Sequence, residues 1–270
     1  MRRTATLLFS LLVLLFTVLG CGGSGGSGMG TFKVFLSDAP TTGVTAVNVT
    51  VDSIQAHIDG QWVDVANTPQ TYDLLSLTRE PAIAGTIDGL PSGSVTQVRF
   101  FVSSVTVTDG TGTHDAIVPS AAQTGIKVNL DTTIAPGAVT AVLIDFNVAK
   151  SLVQQGNGAY LMQPVLVGAP VDLAATASGT VTLNGNPVEG ATVKAIYKSG
   201  LYYPADTEVN TSTTAADGTF KVWALLPGTY DFEVTYTDST PTDYAGSVTG
   251  VEVTRGTDVA LGEITLTAVP

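Results

Sequence analysis

Apolar and polar residues alternate with period two along much of the chain, the pattern of strands with one buried face. Phe32, Val34 and Leu36 form one such set. Val47, Val49 and Val51 form a second that runs on to Ile54 and Ile58, and Gly60-Gln61-Trp62 marks a turn into a short strand. Further strands are expected over Val95–Val107, Ile126–Leu130, Val139–Phe146 and Tyr160–Val167, with Gly, Pro, Asn and Asp at the breaks between them. Only Asn147–Gln155, with Val148, Leu152 and Val153 inside it and Gly156 behind it, reads as a helix. Residues 31–168 are therefore expected to form a β-sandwich with one helical insert. Periodicity lapses at Ala169-Pro170, which sets a boundary before a second block at 171–270.

In the second block a strand at Gly179–Thr182 meets a tight turn at Asn184-Gly185, and a second strand follows through Val193. Asn and Gly supply the positive φ angles of such a turn. Thr214–Val222 reads as a hairpin centred on Asp217-Gly218, and Leu226-Pro227-Gly228 leads into the strand Thr229–Val234. These phrases, in this order, resemble the carboxypeptidase regulatory-like family. The resemblance implies a transthyretin-like sandwich without catalytic residues of its own, a structural or interaction module. In the first block, Val34–Pro40, the Trp62 strand, Tyr72–Leu75, Val118-Pro119-Ser120, Leu143–Phe146 and Met162–Val165 are similar to a lipoprotein domain known as domain of unknown function 4382. That likeness brings no activity or site residues with it. The fold class expected is all-β, as two sandwiches in series.

The first thirty residues read as an address. Met1-Arg2-Arg3 precedes an uncharged apolar run, Leu7–Leu19, of about 13 residues, short of the roughly 18–20 that a permanent spanning helix needs. Val18-Leu19-Gly20-Cys21 resembles a bacterial lipobox, in which the thiol is acylated and becomes the new N-terminus. Residues 1–20 are then a cleaved lipoprotein signal, Cys21 the lipidation site carrying palmitate, and residues 21–30 the acylated cysteine with a Gly/Ser tether reaching on the order of 15–18 Å. Gly22 rather than aspartate follows the cysteine, so the expected address is the outer membrane or the outer face of the cell membrane.

Composition adds location and exclusions rather than activity. Charged residues make up 13% of the chain, hydrophobic residues 44%, and the 23 acidic against 11 basic residues leave a formal net charge of -12. Cleavage after residue 20 would remove Arg2 and Arg3 and take this to -14, with the acids spread over both blocks. Such a surface repels phosphate backbones, and no Lys/Arg cluster overcomes the repulsion, so a nucleic-acid partner is not expected.

Candidate chemistry is sparse. His57 and His114 are the only histidines and stand in no zinc-peptidase spacing; His57 reads as a strand-face residue. No Gly-x-Ser-x-Gly elbow lies between a strand and a helix, no phosphate-binding glycine loop occurs, and Cys21 is the only cysteine. An envelope glycan hydrolase working through paired carboxylates stays open, with Asp38, Asp73 and Asp145 as the acids whose apolar neighbours could raise a pKa. The plainer reading has Asp38 capping a turn and Asp145 bonding a neighbouring loop. Asp109 and Asp115, on a glycine-rich hairpin loop, offer oxygen ligands to calcium, the one cofactor considered. Tyr197, Tyr202 and Tyr203, at the start of the long segment Lys198–Asn210, are candidate contacts for a sugar or a protein, and Trp223 stands between two core positions as a cover for a sheet face. The expected function is a non-enzymatic, lipid-anchored envelope protein displaying two sandwiches for adhesion, assembly or binding of a glycan or protein.

Overall fold

A computed structural model describes residues 28–39, 41–78, 80–119 and 124–269; the signal segment and Cys21 lie outside them. The first sandwich is built from β1 (Gly30–Ser37), β2 (Ala46–Ile58), β3 (Gln61–Ala66), β4 (Gln70–Asp73), β5 (Ala82–Leu90), β6 (Gly93–Asp109), β7 (Gly112–Ile117), β8 (Ile126–Ile134), β9 (Val139–Phe146), β10 (Leu152–Gln154), β11 (Tyr160–Met162) and β12 (Leu166–Pro170). One sheet runs β12-β9-β1-β5, with β1 parallel to β9; the other runs β10-β11-β7-β6-β2-β3, with β4 added against β2 and β8 against β6. The 17-residue β6 is the spine, paired with β2 from Ala46↔Thr108 to Ile58↔Val95. Phe32, Val34 and Leu36 point inward together with Val47, Val49, Ile54 and Ile144, as their alternation requires.

The second sandwich stacks β13 (Ala175–Leu183), β14 (Asn186–Pro187), β17 (Thr219–Leu225) and β20 (Asp258–Thr265) on β15 (Thr192–Ser199), β16 (Thr207–Thr213), β18 (Gly228–Thr237), β19 (Asp243–Val253) and β21 (Thr267–Ala268). Its core holds Tyr197, Tyr230, Phe232, Val193 and Phe220. Asn184 and Gly185 both take positive φ, 52° and 78°, between the paired Leu183 and Asn186, as a tight hairpin demands.

Four local expectations are corrected. The helix is a single turn, α1 (Val148–Ser151), because Leu152–Gln154 leaves it to pair with β11; β-branched Val148 and Val153 favour a ladder over a longer helix. Tyr160–Val167 is two strands in two different sheets, split around Pro164, which has no N–H to give a ladder. Asp217-Gly218 is not a hairpin, since β16 and β17 belong to opposite sheets and the turn carries the chain across the sandwich. His114 and Asp115 sit on β7 rather than in a loop.

Two glycines are fixed by the fully buried Tyr197 ring. A Cβ on Gly228 would lie 2.3 Å from Tyr197 Cε2 and 2.8 Å from the Ser199 carbonyl oxygen, and one on Gly200 would overlap the Tyr197 hydroxyl. Gly228→Ala is therefore expected to lower unfolding free energy by roughly 1–3 kcal/mol in urea titration, by forcing the ring off its seat. An unchanged midpoint would mean that the ring has room the geometry denies it.

Candidate functional site: the joint between the sandwiches

Buried polar side chains are few, and most of them gather where the two sandwiches meet. Ser37, Asp38, Asp145, Asn147 and Ser151 of the first and Asn210, Thr211 and Ser212 of the second are all buried, the two aspartates at 0% exposure. Parallel pairing of β1 with β9 sets Ser37 directly beside Asp145. Asp145 accepts from Ser37 Oγ at 3.1 Å through Oδ1, and from Asn210 Nδ2 at 2.9 Å through Oδ2. Asn210 Nδ2 also donates to the Trp223 carbonyl at 3.0 Å. Asn147, which caps α1 by accepting from the Lys150 amide, sends Nδ2 across the joint to the Thr211 carbonyl at 2.8 Å and to Thr211 Oγ1 at 2.9 Å. At the rim, Glu208 of β16 is held by Lys150 of the first sandwich and, at 3.1 Å, by Lys194 of the second.

Apolar contact closes the rest of the joint. Leu143 and Ala169 of the first sandwich pack with Trp223 and Ala224 of the second, flanked by Phe35, Val167, Ala174 and Leu226. Trp223 reaches them through a β-bulge. Val222 pairs with Ala177 and Leu225 with Ala175, so β17 carries one residue more than β13 over this stretch, and Ala224 takes φ 55°. A bulge re-aims the side chains beside it, here setting both Trp223 and Ala224 against the other domain before Leu225 returns to the core. Beside the joint lies a cleft of about 380 Å³, lined by Phe35, Leu143, Ala174, Lys221, Trp223 and Asp258. Lys221 Nζ stands 4.3 Å from the Trp223 ring centroid and 3.3 Å from Asp258 Oδ2, while the indole N–H meets no acceptor among the described residues.

Burial decides the electrostatics. It pushes the Asp145 carboxyl up to about 6 against the downward pull of Asn210 and Ser37. Asp38 is raised well above the usual carboxylate range, first by burial and then by the negative charge of Asp145, although the Val148 amide donates to its Oδ1 at 3.0 Å. Asp38 Oδ2 has no partner, a smaller cost for a neutral carboxyl than for a charged one. The pair thus has the raised pKa a general acid needs, yet among the described residues both carboxyls are shut away from solvent. Asp73, the third acid, is occupied by the Val47 and Leu75 amides at 3.2 and 3.3 Å.

The other candidate residues do not converge. Tyr197 is fully buried and cannot meet a ligand from solvent, because its ring packs edge-on against Tyr230 and Tyr203; Tyr203 is half-buried and Tyr202 is exposed. Asp109 and Asp115 point to opposite faces of the β6–β7 hairpin, so the fold does not bring them together. Asp109 is held below the usual carboxylate range by Tyr160, Thr111 and His114, with Tyr160 OH at 2.7 Å. Among the described residues no three His, Cys, Asp or Glu side chains form a group able to hold a metal. His57 does lie on a strand face, with Nδ1 2.7 Å from Thr96 Oγ1. Asn210, the residue that ties the joint, gave no local signal; its partner Asp145 is 65 positions away.

Residues 29–164, half of the chain, match the family described as Domain of unknown function (DUF4382). The chain belongs to the DUF4382 family. The family segment covers the first sandwich as far as β11 and includes Asp38, Asp145 and Asn147; Asn210 and Trp223 lie beyond it. No curated protein matches. Among solved structures, a type II cohesin–X-dockerin complex from Acetivibrio cellulolyticus is 20% identical over 35% of this chain at a TM-score of 0.26, and this chain spans only 58% of that one. The major pilin subunit of Bacillus cereus is 14% identical over 88% of this chain and 70% of its own, at a TM-score of 0.24. A shaft pilin from Lactobacillus rhamnosus GG is 8% identical over 90% and 98%, at 0.24. Overlap at that level assigns nothing to this chain.

Two outcomes follow from the joint. The unfolded chain releases the Asp145 proton near its ordinary value of 3.8, the folded one near 6, so the folded state is penalised as pH rises between them. Urea unfolding is therefore expected to give a wild-type stability that falls, relative to the non-titrating Asp145→Asn variant, by on the order of 3 kcal/mol from pH 4 to pH 7. A constant difference would contradict the burial. Asn210→Ala, which strips Asp145 Oδ2 of its donor, is expected to cost about 1–3 kcal/mol at neutral pH.

Proposed function

We propose that this DUF4382 protein is a non-enzymatic, lipid-anchored protein of the cell envelope that presents two β-sandwich domains, at 31–168 and 171–270, for adhesion, assembly or binding of a glycan or protein. The observation that carries the reading is the sealed joint. The two acids on which a hydrolase would depend, Asp38 and Asp145, are at 0% exposure, Asp38 bonded by the Val148 amide of its own sandwich and Asp145 by Asn210 across the domain boundary, where they serve cohesion rather than meet a substrate. A head whose halves are tied by buried hydrogen bonds and an indole is suited to display. The second sandwich, with its resemblance to carboxypeptidase regulatory-like domains, is read as the interaction module of the pair.

Anchoring rests on the sequence around Cys21, and the Gly/Ser tether after it gives the head its distance from the bilayer. An acidic body on a neutral tether stands off an anionic surface. Radiolabelled palmitate is expected to enter the wild-type chain and to be lost in Cys21→Ser, with the variant leaving the membrane fraction and globomycin causing the precursor to accumulate. Labelling that survives Cys21→Ser, or a chain that never labels, would remove the anchor from this reading.

A further inference from the structure

The outer face of the large sheet in the first sandwich carries a patch that the display reading leaves unassigned. Register places Trp62, His57, Gln97 and Asn129 in one row across β3, β2, β6 and β8, and Asp64, Gln55, Arg99 and Lys127 in the next, with Phe101 following Arg99 on β6. Four strands at their usual spacing make this face about 14 Å wide. The Arg99 guanidinium lies 3.9 Å from the Trp62 ring centroid and 4.9 Å from that of Phe101, and Lys127 Nζ lies 6.0 Å from Trp62. Gln55 Oε1 accepts from Arg99 Nε at 2.8 Å, and Gln97 donates to Asn129 at 2.8 Å.

The charge pattern is the informative part. Arg99 and Lys127 are direct cross-strand partners, a like-charge pairing that costs stability, and among the described residues neither has a carboxylate within ion-pair distance. Lys150, Lys194, Lys198, Lys221 and Arg255 each do. Of the acids nearby, Asp64 meets Gln55 and Asp52 meets Ser103, while Asp131 borders the patch two residues along β8 from Asn129. In a chain with net charge -12, two adjacent cations are left without a carboxylate, and one of them is fixed in advance of any ligand, its guanidinium packed on the Trp62 and Phe101 rings with Nε and Nη2 both on Gln55 Oε1, so that a ligand would meet its remaining Nη1 side.

We propose that this face binds an acidic polysaccharide whose sugar units carry a carboxylate. Arg99 and Lys127 would take the carboxylate, the Gln97 and Asn129 amides the hydroxyls of neighbouring units, and the edges of Trp62 and Phe101 the apolar faces of the rings. Two cations on an acidic body supply too little long-range attraction to hold a nucleic acid or an anionic bilayer, whereas a local carboxylate with hydroxyls beside it matches the groups present. The proposal names the ligand class for the display reading and rests on it only for the encounter with a glycan.

The test uses the detergent-solubilised full chain with polygalacturonate, its fully methyl-esterified form, phosphatidylglycerol vesicles and a single-stranded oligonucleotide, followed by affinity electrophoresis and by tryptophan fluorescence in a Trp223→Phe background, where Trp62 alone reports. The expected result is retention by polygalacturonate that weakens with salt, shifts Trp62 emission, and drops at least tenfold in Lys127→Gln, in Arg99→Gln and with the esterified polymer. Equal retention by the esterified polymer, stronger binding to vesicles or oligonucleotide, no binding, or undiminished binding by both variants would overturn it. Palmitate labelling of the same preparations separates the readings: a labelled chain that ignores polygalacturonate loses this proposal and keeps the anchor.

Discussion

A carboxylate at zero exposure needs donors, and Asp145 takes one from each sandwich: Ser37 from its own sheet and Asn210 from the domain across the joint. The relation between the two halves depends on that shared acceptor. Removing either donor leaves a buried group short of a partner, which costs more than the bond itself contributes. The arrangement is specific because its partners are. Asn210 is held in turn by the Trp223 carbonyl and faces Asn147, whose other amide bonds fix the start of α1. A purely apolar seam would let the domains slide over one another; this one has a register.

The bulge at Ala224 belongs to the same device. A non-glycine residue at φ 55° is mildly strained, and the strain is offset by bringing Trp223 onto Leu143 and Ala169. Alternation puts the indole outward after the inward Val222, and the extra residue that follows returns Leu225 to the core while Trp223 and Ala224 lie against the first sandwich. At this irregularity the Trp223 side chain makes an interdomain contact and its backbone carbonyl accepts from Asn210.

Much of the first sandwich was legible because its strands are half-buried and alternate cleanly, as in β1 and β2. The strand β5 was not, since Gly85 and Gly89 interrupt its pattern; a Cβ on Gly85 would come 3.0 Å from the Val65 side chain, a tight fit. The short α1 was overread because three apolar residues at helical spacing also suit a turn that runs into a strand. At the joint, Asp38 and Asp145 stood out by their apolar neighbours, but their partners lie 110 and 65 positions away, beyond the reach of any local pattern. The Arg99–Lys127 face was invisible for the same reason, as it exists only once four strands are in register.

The path of β1 connects these features. The chain comes out of the Gly/Ser segment at Gly30, one end of β1, and reaches the joint at Ser37, the other, about 23 Å away at the usual rise per residue. Along that length β1 is paired on both sides, with β5 and with β9, so it is an interior strand that cannot peel away from an edge. A pull applied at Gly30 would therefore pass through the small sheet to Ser37 and Asp145, reaching the second sandwich both through Asn210 and along the chain where β12 leads into β13. The two sandwiches are also joined along the chain, since β12 runs through residues 171–174 into β13, so the buried Asp145 network acts by fixing the register in which the covalently linked domains meet.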